Sequence, residues 1–141
     1  MTIAQLRDSA AYSLVVATAS GQILTFKGRG VSDLYDLYTT RPSVLAQADV
    51  ADKVVGAGAA VLLALGRVRS VDAPVISSDA LAILRREAIR VTGFEEVPAI
   101  INRTATGRCP LETLIASAGI NSDLPHLLPV ITRFVESMRR K

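Results

Sequence analysis

One apolar segment limits the folds open to this chain more than any other feature. Within ADKVVGAGAAVLLALG (51–66), the residues from Lys53 to Leu65 are apolar nearly all round, which predicts a helix buried on several sides. Its glycines and alanines make this helix thin, so a sheet or a second helix can approach it closely. Gly66 is of a residue type that often ends helices. The rest of the chain must therefore surround this segment.

That remainder alternates between strand and helix patterns. Tyr12–Thr18 and Gln22–Lys27 predict two strands joined by a tight Ser20-Gly21 turn. Further strands are predicted at 44–50, 70–76, 90–92 and 97–101, and helices at 2–9, 33–38, 53–65, 79–89, 110–118 and 124–140. The strand at 70–76 contains Pro74, which indicates an edge or a bulge. A hairpin followed by alternating helices and strands indicates one domain over residues 1–141, a three-layer α/β/α sandwich around a mixed sheet.

Charge and composition disfavour several classes of protein. The 16 Lys and Arg residues are interleaved with 13 Asp and Glu residues, so the net charge of +3 forms no broad basic face for nucleic acid. The one basic cluster, at 139–141, also complements the dipole of the predicted last helix. No apolar run approaches the roughly 18 residues of a membrane span, and residues 9–19 are too broken for a signal peptide. A single cysteine further favours a cytoplasmic protein.

That cysteine lies in INRTATGRCPLET (101–113), directly before a predicted helix. If Pro110 is the first helical residue, Cys109 is the N-cap and Glu112 takes the third position, as a capping-box acid does. Arg103 and Arg108 are close in sequence, and a helix N-terminus with nearby cations favours the thiolate form. A reactive thiol and a small, partly buried N-cap residue both remain open interpretations.

A second candidate lies where the buried helix is predicted to begin. Asp52 there can cap the helix, which the pattern alone favours, or it can bind a ligand hydroxyl or exchange protons. The nearby Gly56-Ala57-Gly58 does not match a dinucleotide fingerprint, because Val61 takes the sixth position, and it indicates helix packing instead.

No metal or cofactor site is predicted. His126 is the only histidine and Cys109 the only cysteine, so one chain cannot supply the three His or Cys ligands of a zinc deaminase.

Several short motifs together resemble the family known as domain of unknown function 1893. They run in order over most of the chain, from about residue 14 to 119: GRG (28–30), DLYDLY (33–38), ADKVVG (51–56), VIS (75–77) and INR…TGRCPLE (101–112). The resemblance implies a fold similar to that of cytidine deaminases, in which two helix N-termini meet at the active site. By that likeness Asp52-Lys53 lies at the first helix start and Cys109 at the second. Family members usually carry Lys after the glycine of ADKVVG, whereas this chain has Ala57.

Two functional hypotheses follow. In the first, the protein is a metal-independent enzyme or a binding protein for a nucleotide-like or other anionic small molecule. Cys109 is then the nucleophile or contact thiol and Asp52 the acid–base or hydroxyl-binding group. The ligand is oriented and its charge balanced by Lys53, Asn102, Arg103 and Arg108. In the second hypothesis the protein is a non-catalytic assembly or regulatory module. The apolar helix at 53–65 and the amphipathic helix at 124–140 are then candidates for a homo-oligomer interface, although folding of a single core explains both equally well.

Overall fold

This computed structural model describes residues 5, 12–27, 31–98, 110–119 and 122–139, in which five α-helices, one short 3₁₀ helix at Pro42–Val44 and eight short strands are defined. The helices are α1 (Ser32–Thr40), α2 (Ala57–Leu65), α3 (Ser78–Arg86), α4 (Pro110–Ala118) and α5 (Leu124–Arg139). The strands are β1 (Leu14–Ala17), β2 (Ile23–Phe26), β3 (Asp49–Asp52), β4 (Val54–Val55), β5 (Ser70–Asp72), β6 (Val75–Ser77), β7 (Arg90–Thr92) and β8 (Glu95–Val97). None of these helices is long and apolar enough to cross a membrane.

The strands form a mixed sheet with a parallel extension. The main sheet has the order β2-β1-β3-β5-β7, in which β1 pairs antiparallel with β2 and β3 while β3, β5 and β7 run parallel. A second sheet, β4-β6-β8, is wholly parallel. Each of its strands follows a main-sheet strand after a short break, at Lys53, Ala73-Pro74 or Gly93-Phe94. The helices flank this sheet, so the predicted α/β/α class is confirmed.

Helix α2 lies at the centre of the hydrophobic core. Every residue from Ala57 to Ala64 is buried, and α2 packs against α1, α3, α4 and α5. The prediction that this segment is buried on several sides is therefore confirmed.

The predicted start of that helix is wrong. Asp52 is the last residue of β3, Lys53 follows it, and α2 begins only at Ala57 after an extended Gly56. The reason lies in β4, because the β-branched Val54 and Val55 favour a strand and pair in parallel with β6. Asp52 is therefore a strand residue and does not cap α2.

Helices α2 and α3 both end without a glycine in the left-handed position. Arg67 has φ = 61° and Ala88 has φ = 60°. In each case the next N–H bonds back to the last helical turn, Val68 to the Leu63 carbonyl at 3.3 Å and Ile89 to the Leu84 carbonyl at 3.0 Å. These are Schellman motifs, in which glycine is the usual left-handed residue because a side chain is strained there.

We expect Ala88→Gly to stabilise the protein by about 1 kcal/mol, because glycine removes this strain and Ala88 is exposed. The matched control is Ala82→Gly at an exposed position inside α3, which should cost about 0.5–1 kcal/mol. Urea unfolding of both variants measures the difference. Equal destabilisation by the two substitutions would contradict the strain argument.

Helices α2 and α4 approach closely at Gly58. A Cβ at this position would lie 2.9 Å from Cγ of Leu111 and closer still to one of its methyl groups. Leu111 is itself buried, with 3% of its surface exposed, so it has little room to move. The interpretation of Gly56-Ala57-Gly58 as helix packing fits this contact.

Gly58→Ala should therefore destabilise the protein by about 1–3 kcal/mol, although alanine is the better helix former. In a Leu111→Ala background the same substitution should cost less, because the clashing side chain is gone. A double-mutant cycle by denaturant unfolding measures this coupling. Strictly additive effects would show that the two helices do not press on each other at this point.

Candidate functional site

The N-termini of α2 and α4 meet at one hydrogen bond. The backbone N–H of Ala57, the first residue of α2, donates to Oε1 of Glu112 at 3.0 Å. Glu112 is the third residue of α4. The first N–H groups of a helix have no partner within it and carry the positive end of its dipole. The carboxylate of α4 therefore caps α2, and we call the first turns of these two helices the two-helix junction.

The second oxygen of the same carboxylate is left unsatisfied. Glu112 is 2% exposed, and its Oε2 has no hydrogen-bond partner in the part of the chain that the structure describes. It is the one buried side-chain polar atom in that part without a partner. Buried polar atoms are nearly always paired, so an exception points to a catalytic role or to a missing partner such as a ligand or water.

Sequence reasoning noted Glu112 but did not count it among the site residues. Its position, two residues after Pro110, is the position of a capping-box acid, which serves its own helix. In the structure Oε1 instead serves a helix that begins 55 residues earlier. The spacing after the proline was the available signal, and the partner could not be read from it.

Asp52 lies at the carboxyl end of β3 and is buried, at 9% exposed. It pairs in register with Leu14 of β1. Side chains alternate along a strand, so Asp52 shares a sheet face with Val50, which belongs to the same core cluster as α2. The structure thus places this carboxyl group on the α2 side of the sheet, five positions before Ala57.

Lys53, the next residue, is exposed. Its backbone N–H donates to the Ser13 carbonyl at 3.1 Å, which continues the pairing of β1 with β3. The adjacent Asp52 and Lys53 therefore differ in environment, the carboxyl group being buried and the ammonium group lying at the surface.

The other predicted site residues are Cys109, Asn102, Arg103 and Arg108, and all four lie outside the described residues. Helix α4 does begin at Pro110, so its predicted start is confirmed and Glu112 has the predicted position. Among the residues the structure describes, no three His, Cys, Asp or Glu side chains gather closely enough to hold a metal ion.

The opposite end of β3 carries a different carboxylate. Asp49 accepts a hydrogen bond from Nε of Arg69 at 3.0 Å and another from the Ser70 hydroxyl at 2.6 Å. The Arg69 hydrogen bond lowers the pKa of Asp49, against the effect of partial burial and with help from Ser70. Asp49 is thus satisfied within the fold.

A surface depression of about 510 Å³ also lies away from the two-helix junction. Arg67, Arg86, Glu87 and Asp123 are among the residues that line it. Arg86 and Glu87 pair with each other at 3.4 Å. Among the described residues that line the depression there is no buried unpaired group, so the chemistry favours the junction.

Comparison with known proteins agrees with this architecture. The crystal structure of a DUF1893 family protein (TM1506) from Thermotoga maritima superposes with a TM-score of 0.78, covering 92% of this chain and 84% of that chain. At 19% identity this likeness shows the fold alone. No curated protein matches the sequence. The family model described as domain of unknown function (DUF1893) matches residues 3–126. The chain therefore belongs to the DUF1893 family.

Proposed function

We propose that the protein is a metal-independent enzyme or binding protein for a nucleotide-like or other anionic small molecule, held at the two-helix junction. The observation that carries this proposal is the bond between Ala57 and Glu112, which joins two helix N-termini at a buried carboxylate. Helix N-termini favour anions and hydrogen-bond acceptors, and sites built on rigid helices hold a ligand in place.

The carboxylate also limits where an anionic group can bind. A phosphate placed against Glu112 would meet a like charge in a buried environment, where the repulsion is strong. We therefore propose that the anionic group binds at the exposed Lys53, with Arg103 and Arg108, which precede α4 in the sequence, as further candidate cations. In this proposal Asp52 and Cys109 act on the part of the ligand away from its anionic group. Asp52 is the acid–base or hydroxyl-binding group, and Cys109 is the nucleophile or contact thiol.

A second candidate function is a non-catalytic assembly or regulatory module. The observation in its favour is that the Ala57 N–H is already satisfied by Glu112, so the fold caps α2 without any ligand. The first turn of α2 also carries Ala57 and Gly58, neither of which has a functional side chain.

The first test is a thermal-shift screen with nucleosides and nucleotides. A ligand at ten times its Kd should add about 1.4 kcal/mol of stability, or roughly 4 °C in melting temperature. Asp52→Asn should abolish this shift. The matched control is Asp49→Asn, on the same strand but at its other end, which should keep the shift despite losing the Arg69 pair. If millimolar ligands leave the wild-type melting temperature unchanged, this ligand class is wrong.

The unique thiol provides a second test. We expect native Cys109 to be alkylated at lower pH than the denatured thiol, because a helix N-terminus favours the thiolate. A ligand from the screen should slow that reaction, and Cys109→Ser controls for modification elsewhere. A thiol that reacts only after denaturation would favour the module function, as would Asp52→Ala and Cys109→Ser variants that lose stability but no binding.

A further inference from the structure

Oε2 of Glu112 indicates the chemistry of the ligand group that reaches the two-helix junction. We infer that this group is an N–H donor, such as the exocyclic amino group of a heterocycle, and that Glu112 accepts its hydrogen bond. The inference rests on the proposed function and specifies which end of the ligand points inward.

The acceptor capacity of the carboxylate supports this assignment. An ionised carboxylate only accepts hydrogen bonds, and each oxygen has two lone pairs. Oε1 is used by Ala57, while Oε2 is buried with no partner among the described residues. A buried acceptor without a donor raises the free energy of the unliganded protein, and a ligand N–H removes that cost.

Thr113 is exposed and does not bond to Oε2, and the other described residues of the junction have no side-chain donor. Ala57, Gly58 and Leu111 have only apolar side chains or none, and Pro110 lacks even a backbone N–H. Ile115, one turn further along α4, is fully buried and apolar. Oε2 therefore has no side-chain donor within the described part of the junction, and in such a buried position a hydrogen bond to a donor is strong.

The same arrangement disfavours other groups at this point. A carbonyl or phosphate oxygen would face the lone pairs of Oε2 without a proton between them, whereas an apolar group would leave the acceptor buried and unpaired. A ligand with an anionic end and an amino-bearing heterocycle suits both groups, because Lys53 is exposed whereas the Glu112 carboxylate is buried.

The test compares two ligands that differ only in the amino group, adenosine 5′-monophosphate and purine riboside 5′-monophosphate. Calorimetry on the wild type should give a Kd about tenfold or more lower for the amino compound. In Glu112→Gln the amide oxygen keeps the bond to Ala57 and the amide nitrogen replaces Oε2, so a donor faces the ligand. The preference should then disappear or reverse. Glu95→Gln, at an exposed glutamate on β8, should keep it.

The possible outcomes distinguish failure of the inferred N–H donor from failure of the proposed ligand class. Equal and measurable binding of the two compounds to the wild type overturns the inferred donor but leaves the proposed function standing. Binding of neither compound at millimolar concentration overturns the nucleotide-like ligand class and the inference with it. A preference that survives in Glu112→Gln shows that another residue reads the amino group, which also overturns the inference. Should Glu112→Gln fail to fold, the wild-type comparison still decides, since a ratio near one contradicts the donor.

Discussion

The complete burial of α2 governs the rest of this structure. A helix whose first eight residues are all buried cannot satisfy its terminal N–H groups with water, so the protein has to provide acceptors. Glu112 fulfils this need at Ala57, and the positive end of the helix dipole stabilises its charge. The close approach at Gly58 brings α4 near enough for that bond. The candidate site is thus a direct result of how the core is packed.

Much of this fold could be predicted from local pattern. The hairpin, the burial of α2, the start of α4 and most of α5 all follow from apolar spacing or from a single glycine or proline. The start of α2 could not be predicted in this way, because an apolar run has no periodicity that separates a strand from a buried helix. Val54 and Val55 become a strand through pairing with Val75 and Ile76, which lie about twenty residues away. Pro74 is predicted to mark an edge or a bulge within one strand, but in the structure it lies between two strands that belong to different sheets.

The candidate site shows the same division between local and long-range information. The position of Glu112 within α4 was predicted, since it depends only on the proline two residues earlier. Its bond to Ala57 was not, since it depends on how two distant helices pack. Asp52 was expected to cap a helix and instead ends a strand. The end of α3 was also placed too late, at 89 in place of Arg86, because Ala88 takes the left-handed position where a glycine would have marked the boundary.

The distance along the chain between Ala57 and Glu112 has a consequence for folding kinetics. The bond spans 55 residues, so a large loop must close, at a cost in entropy, before α2 receives this acceptor. Until α4 docks, the most apolar segment of the chain lacks both its cap and one of its covering helices. A nascent or heat-opened chain in which α4 has not docked therefore exposes this apolar segment, and transiently exposed apolar surface favours self-association.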